Sequence, residues 1–105
     1  MEIFRMTRQF PTDEKFSLTD QIRRSSRGVA ANIAEGYRKR QYPNAFSHKL
    51  SDADAEASET QVWLDFAHDS EYITDDVHQK LTDEYEEIGR MLGHMIMHPE
   101  KFGRR

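Results

Sequence analysis

Apolar residues recur along this chain at intervals of three and four, and no segment alternates with period two. Ile3, Met6 and Phe10 predict a short first helix that stops at Pro11, which has no N–H with which to continue it. Leu18, Ile22, Val29, Ile33 and Tyr37 share one face of a second helix, with Ser17 or Thr19 as its cap. The small residues Ser25, Ser26 and Gly36 fill the gaps on that face and allow a neighbouring helix to come close. Pro43 fits the first turn of a third helix, where a missing N–H costs nothing, and the pattern runs as far as Ser70, roughly 40 Å at the α-helical rise. Phe46, Leu50, Ala53, Ala57 and Leu64 line one side of it, and Ala55, Val62 and Phe66, with Trp63 nearby, line another. A helix that is apolar on two sides calls for neighbours on two sides, so Ala55, Val62, Trp63 and Phe66 are expected at an interface between subunits. Thr74 caps a fourth helix, Asp75 and Asp76 suit the positive end of its dipole, and Pro99 ends it. Its stripe is Val77, Leu81, Tyr85, Ile88, Leu92 and Met95. The connections are short, which makes successive helices antiparallel neighbours. The expected fold is all-α, an antiparallel up-down four-helix bundle with a short first helix, and residues 1–105 form one domain with no repeat or linker to divide it.

Composition narrows the classes of activity. A chain of 105 residues, 36% hydrophobic and 32% charged, has either a thin core or further apolar surface buried between subunits. It has no cysteine, which excludes disulfides, thiol catalysis and cysteine-ligated zinc together. No apolar run approaches the roughly 20 residues that cross a bilayer. The first ten residues carry Glu2, Arg5 and Arg8 and lack the apolar centre of a secretion signal, so a cytoplasmic protein is expected, with no membrane partner.

The net charge of −4 conceals an asymmetry. Residues 18–40 hold six basic and two acidic side chains, whereas residues 41–105 hold six basic and fourteen acidic ones. On a helical wheel Arg23, Arg24, Arg27 and Arg38 fall within about a 100° arc, and Lys39 and Arg40 extend it. Guanidinium groups make bidentate, charge-assisted contacts to phosphate oxygens, so this strip is a candidate RNA- or DNA-binding face. Opposite charge on helix three, from Asp52, Glu56 and Glu59, offers the arginines salt bridges instead. No aromatic residue interleaves with the arginines, so base stacking is not indicated by the pattern.

The residues Phe10-Pro11, Phe16-x-Leu18-Thr19-x-Gln21-Ile22-Arg23-Arg24 and Asn32-Ile33-Ala34-Glu35-Gly36 carry a resemblance that extends over essentially the whole chain. It resembles the four-helix-bundle family first noticed in open reading frames within intervening sequences of bacterial large-subunit ribosomal RNA. The resemblance implies an up-down bundle that assembles as a homopentamer and has no established enzymatic activity. It also implies a fold similar to the accessory proteins of diversity-generating retroelements, which are basic pentamers that bind nucleic acid. Members of the family begin further upstream, with a longer first helix that contains a tryptophan. Either the natural start lies upstream of Met1, or this chain has lost half a helix and exposes a groove. Relatives often carry proline where this chain has Ala30, so its second helix is expected to be straighter.

The polar motif residues Gln21, Asn32 and Glu35, with Gly36, read as structural: hydrogen bonds to backbone or to an arginine at a packed helix junction account for them. His94 and His98 lie one turn apart near Glu87, a chelating spacing on a face that is expected to be solvated. Asp65-x-x-His68 and Asp75-x-x-His78 echo a di-metal pattern, but the Glu-x-x-His pairs that such bundle sites need are missing. No nucleophile elbow, phosphate loop or zinc-protease pattern occurs. The expectation is a non-enzymatic homo-oligomeric scaffold, pentameric by resemblance, that binds RNA or DNA through its basic helix face. It needs no cofactor, metal or small-molecule substrate. The competing expectation is an assembly module whose arginines are used in intersubunit salt bridges.

Overall fold

The computed structural model describes residues 2–14 and 17–102; Phe16 of the motif above lies outside the described residues. Four α-helices follow one another: α1 (Glu2–Thr7), α2 (Leu18–Arg38), α3 (Pro43–Asp69) and α4 (Asp75–Met97), with single 3-10 turns at Thr12–Glu14 and Pro99–Lys101. The bundle is all-α, and consecutive helices pack on one another. α3 is the central element. The backbones of α2 and α4 both pack against it, but among the described residues they do not come within 8 Å of each other.

The buried residues of α3 explain its position. Phe46, Leu50, Ala53, Ala57, Thr60, Leu64 and Ala67 are spaced alternately four and three apart, the 3.5-residue seam of coiled-coil packing. α2 answers with Leu18, Ile22, Ser25, Val29 and Gly36 in the same spacing, and Asn32 occupies the remaining seam position half-buried. The pairing runs antiparallel. Leu18 meets Ala67, Ile22 meets Leu64, the Thr60 hydroxyl lies 2.8 Å from Ser25 Oγ, and Gly36 meets Leu50. A Cβ on Gly36 would stand 3.2 Å from Lys49 Cβ, so glycine sets how closely the helices approach there.

This seam corrects one sequence expectation. Tyr37 was expected on the core stripe of α2, yet it is 58% exposed. A stripe counted at 3.6 residues per turn passes through Ile33 and Tyr37, whereas the 3.5-residue seam against α3 passes through Asn32 and Gly36 and turns Tyr37 outward.

The helix ends follow from local chemistry, with one further correction. Ser17 precedes α2, but its hydroxyl donates to Glu14 rather than capping a first-turn amide, and Thr19 is buried within the helix. Pro43 opens α3 as expected, and Thr74 caps α4 by accepting from the Val77 N–H at 3.2 Å. α3 ends in a Schellman motif: the Tyr72 N–H bonds the Ala67 carbonyl and the Glu71 N–H bonds the His68 carbonyl, each at 2.9 Å. Glu71 takes the left-handed conformation, φ 63°, that this motif demands.

α4 is less fully covered. Only Leu81 and Leu92 of its stripe are buried; Tyr85, Ile88 and Met95 are half-buried and Val77 is 36% exposed. α1 reaches this side through Ile3, which joins Ile22, Leu64 and Leu81 in one core cluster. Beyond α1 a groove of about 360 Å³ stays open between Arg23, Ser26, Arg27 and Ala30 of α2 and Leu81, Glu84, Tyr85 and Ile88 of α4. Extents of 48 × 24 × 17 Å describe the resulting elongated shape.

Candidate nucleic-acid interface

The basic residues of α2 and of the turn that follows it divide into four groups. Arg23 is tied to α1: its Nε donates to Thr7 Oγ1 at 2.7 Å and its guanidinium lies 4.3 Å from the centre of the Phe4 ring. Its NH2 reaches the Phe4 carbonyl, near the C-terminal end of α1, at 3.5 Å. Arg24 is tied to α3 by ion pairs with Glu56 (3.4 Å) and Glu59, and also bonds Gln21 Oε1. Arg27, Arg38 and Lys39 are exposed and carry no ion pair among the described residues. Arg40 folds back on the end of α2, donating to the Tyr37 carbonyl at 2.8 Å with its guanidinium 3.7 Å from the Tyr37 ring centre.

The strip read from the sequence is therefore not one continuous surface. Arg23 and Arg24 are used within the chain, and the charge left without ion pairs among the described residues lies at Arg27, midway along α2, and at Arg38 and Lys39, where α2 turns into α3. That corner is held by Lys39 N–H to the Gly36 carbonyl (2.9 Å) and Tyr42 N–H to the Lys39 carbonyl (2.8 Å). From Tyr37 to Asn44 the sequence has three basic residues and no acidic one. α3 begins there without an acidic residue in its first turn and without a side-chain cap, so no carboxylate of that turn offsets the positive end of its dipole. Tyr37 and Tyr42 are 58% and 59% exposed on either side of Arg38, Lys39 and Arg40. The sequence reading missed both: Tyr37 was placed in the core stripe, and Tyr42 follows the basic run rather than interrupting it. The 3.5-residue spacing of the α2 seam was the signal that would have turned Tyr37 outward.

The motif residues have structural partners. The Asn32 side-chain amide donates to the Gly28 carbonyl at 2.9 Å. Glu35 pairs with Lys49 of α3 at 2.7 Å, and that contact holds the Glu35 carboxyl below its ordinary range and the Lys49 ammonium above its own. On the outer side of α3, Ala55 is exposed, Val62 is 49% and Phe66 55% exposed, and half-buried Trp63 lies 5.7 Å from Phe66 between ring centres. Trp63 Nε1 donates to Glu59 at 3.0 Å, so Arg24, Glu59 and Trp63 form one chain of contacts.

Two of the five histidines bridge helices. His68 meets Asp75 at 2.6 Å and His78 meets Asp65 at 2.8 Å, each crossing from one helix to the next, with the two imidazoles stacked 4.2 Å apart. Glu87 pairs with Arg90, while His98 lies 3.6 Å from Glu100. No grouping of three or more metal-ligating side chains is present among the described residues. Among the described residues no helix is long and apolar enough to cross a membrane.

Comparison with known proteins agrees with this architecture. A crystal structure of a protein with unknown function from the S23 ribosomal protein family of Bacteroides thetaiotaomicron is similar, with a TM-score of 0.82 and 31% sequence identity. The match covers 90% of this chain and 88% of that one. No curated protein matches. The sequence profile of the 23S rRNA-intervening sequence proteins matches residues 1–94. The chain belongs to the 23S rRNA-intervening sequence protein family.

Proposed function

We propose that this protein is a non-enzymatic, homo-oligomeric scaffold, pentameric as the family resemblance implies, that binds RNA or DNA through phosphate contacts at its basic end. The observation that carries the reading is the exposure of Arg38 and Lys39 without ion pairs, in a chain whose net charge is −4. In so acidic a protein, exposed cations without an ion pair among the described residues are the footprint of an anionic partner. Assembly finds its support in the exposed Val62 and Phe66 on the outer side of α3, since apolar side chains clustered on a surface mark contact sites. A ring would repeat the basic corner once per subunit and multiply weak phosphate contacts by avidity.

The assembly-only reading draws on Arg24, whose charge is already paired with Glu56 and Glu59. That leaves Arg38 and Lys39 without a role. Arg38→Ala combined with Lys39→Ala separates the two readings. Loss of RNA binding with the light-scattering mass unchanged supports the scaffold; a drop to monomer with no RNA binding in the parent protein assigns these cations to subunit contacts.

A further inference from the structure

Given the nucleic-acid binding proposed above, we infer that the α2–α3 corner is a site for an unpaired strand, with Tyr37 and Tyr42 as stacking surfaces for bases. Phosphate contacts alone need only cations. This corner adds two aromatic rings, each more than half exposed, at either end of the basic run. Tyrosine is amphipathic, and the last turn of an α-helix offers it partial shelter, yet neither ring takes part in the three core clusters as a buried member. Tyr37 is held in place by Arg40, which covers one ring face at 3.7 Å and bonds the Tyr37 carbonyl. A guanidinium on one face of a ring leaves the opposite face free to take a base, and base, tyrosine and arginine then form a continuous stack. Tyr42 sits at the start of α3, its backbone fixed by bonds from its N–H to Lys39 and from the Phe46 N–H to its own carbonyl. Arg38 and Lys39 lie between the two rings in sequence and supply the phosphate contacts between stacked bases.

The ligand class follows from this chemistry. Along its length a duplex offers its bases only at their edges, so the exposed rings of this corner gain little from it, whereas an unpaired strand presents a face at every nucleotide. Stacking does not read base identity, so a strand of any sequence is accepted. RNA and DNA strands share both the phosphates and the faces.

Fluorescence anisotropy with fluorescein-labelled oligo-uridine, the matching DNA strand and a blunt RNA duplex tests the site. The parent protein is expected to bind both strands more tightly than the duplex. Tyr37→Ala with Tyr42→Ala is expected to weaken strand binding by about tenfold for each ring and leave duplex binding unchanged. Tyr37→Phe with Tyr42→Phe keeps the rings and is expected to bind as the parent does. Arg38→Ala with Lys39→Ala weakens strand and duplex alike and lowers the single-strand salt slope by about 1.4. Equal binding of strand and duplex, unchanged in the alanine pair, overturns the stacking site while leaving phosphate binding in place. Loss of the oligomer in the alanine pair, with strand affinity per subunit unaltered, overturns it in favour of an assembly contact. Failure of the parent to bind any of the three probes at low salt removes the underlying reading instead.

Discussion

Glu71 occupies a position that usually belongs to glycine. Its φ of 63° closes the Schellman turn after α3, and a side chain there costs about 1–2 kcal/mol that glycine does not incur. Part of that gain is lost to the greater freedom of glycine in the unfolded chain. Glu71→Gly is therefore expected to stabilise the protein by about 0.5–1 kcal/mol, seen as a rise of a few degrees in Tm; a fall would mean the Glu71 side chain makes a contact that outweighs its strain. The same corner has a pH signature. Ser17 and Tyr72 both donate to Glu14 and hold its carboxyl below the ordinary value of 4.5, while Glu14 and burial push the Tyr72 phenol above its ordinary 10.0. The signs are opposite. The lowered carboxyl contributes stability above the ordinary carboxylate range and loses it as pH falls through the lowered value. The raised phenol contributes below pH 10 and loses its contribution as pH climbs through the raised value. Tyr72→Phe should flatten the alkaline limb of a denaturation-midpoint profile and only part of the acid limb, because the Ser17 bond to Glu14 remains. An alkaline limb that keeps its full slope would assign it to Tyr85, whose phenol is also raised, there chiefly by burial.

Among the elements, α2 and α3 define the molecule, and the close contact at Gly36 tests their pairing. Valine there would drive its methyl groups into Lys49 Cβ and the Leu50 side chain, so Gly36→Val is expected to cost about 1–3 kcal/mol, measured by chemical denaturation. A neutral result would show that the helices can part at this end without loss. The number and order of the helices, and the starts of the third and fourth, were legible because Pro43 opens the one and Thr74 caps the other. The first helix ends at Thr7, short of the Pro11 expected to stop it, and no side-chain cap marks the start of the second. The buried face of α3 was legible too, since Phe46, Leu50, Ala53, Ala57 and Leu64 are apolar and nothing competes with them. The face of α2 was only partly legible. Its seam runs through Ser25, Asn32 and Gly36, and an apolar count passes over such residues in favour of Ile33 and Tyr37. Nor could the strip of arginines be divided from sequence. Arg24 takes Glu56 and Glu59 from the acidic strip that the sequence offers on helix three, but which arginine uses it, and that Arg23 turns to α1, rest on contacts spanning 35 and 16 residues that no local pattern records.

At the scale of the whole molecule, charge is arranged along the axis of α3. The α2–α3 corner carries Arg38, Lys39 and Arg40 with no acidic residue between Tyr37 and Asn44. The α3–α4 corner carries Asp69, Glu71, Asp75 and Asp76 with no basic one between Asp69 and Asp76. About 40 Å of helix separates the two. A polyanion approaching such a molecule is steered to one end and repelled from the other, and the apolar patch at Val62 and Phe66 lies on the side of α3 between them. Assembly through that side would leave the basic corners free. Val62→Asp with Phe66→Asp is accordingly expected to reduce the light-scattering mass to that of one 12.4 kDa chain while helix content by circular dichroism holds, and an unchanged oligomer would move the interface elsewhere. Phosphate binding by this protein is tested most directly by the anisotropy of a labelled mixed RNA pool titrated with the intact protein at low and at high salt. Binding whose log affinity falls linearly with log salt, with a slope of about 0.7 for each single-strand phosphate contact, is the predicted result. The absence of binding at low salt would mean that the basic corner holds no phosphate.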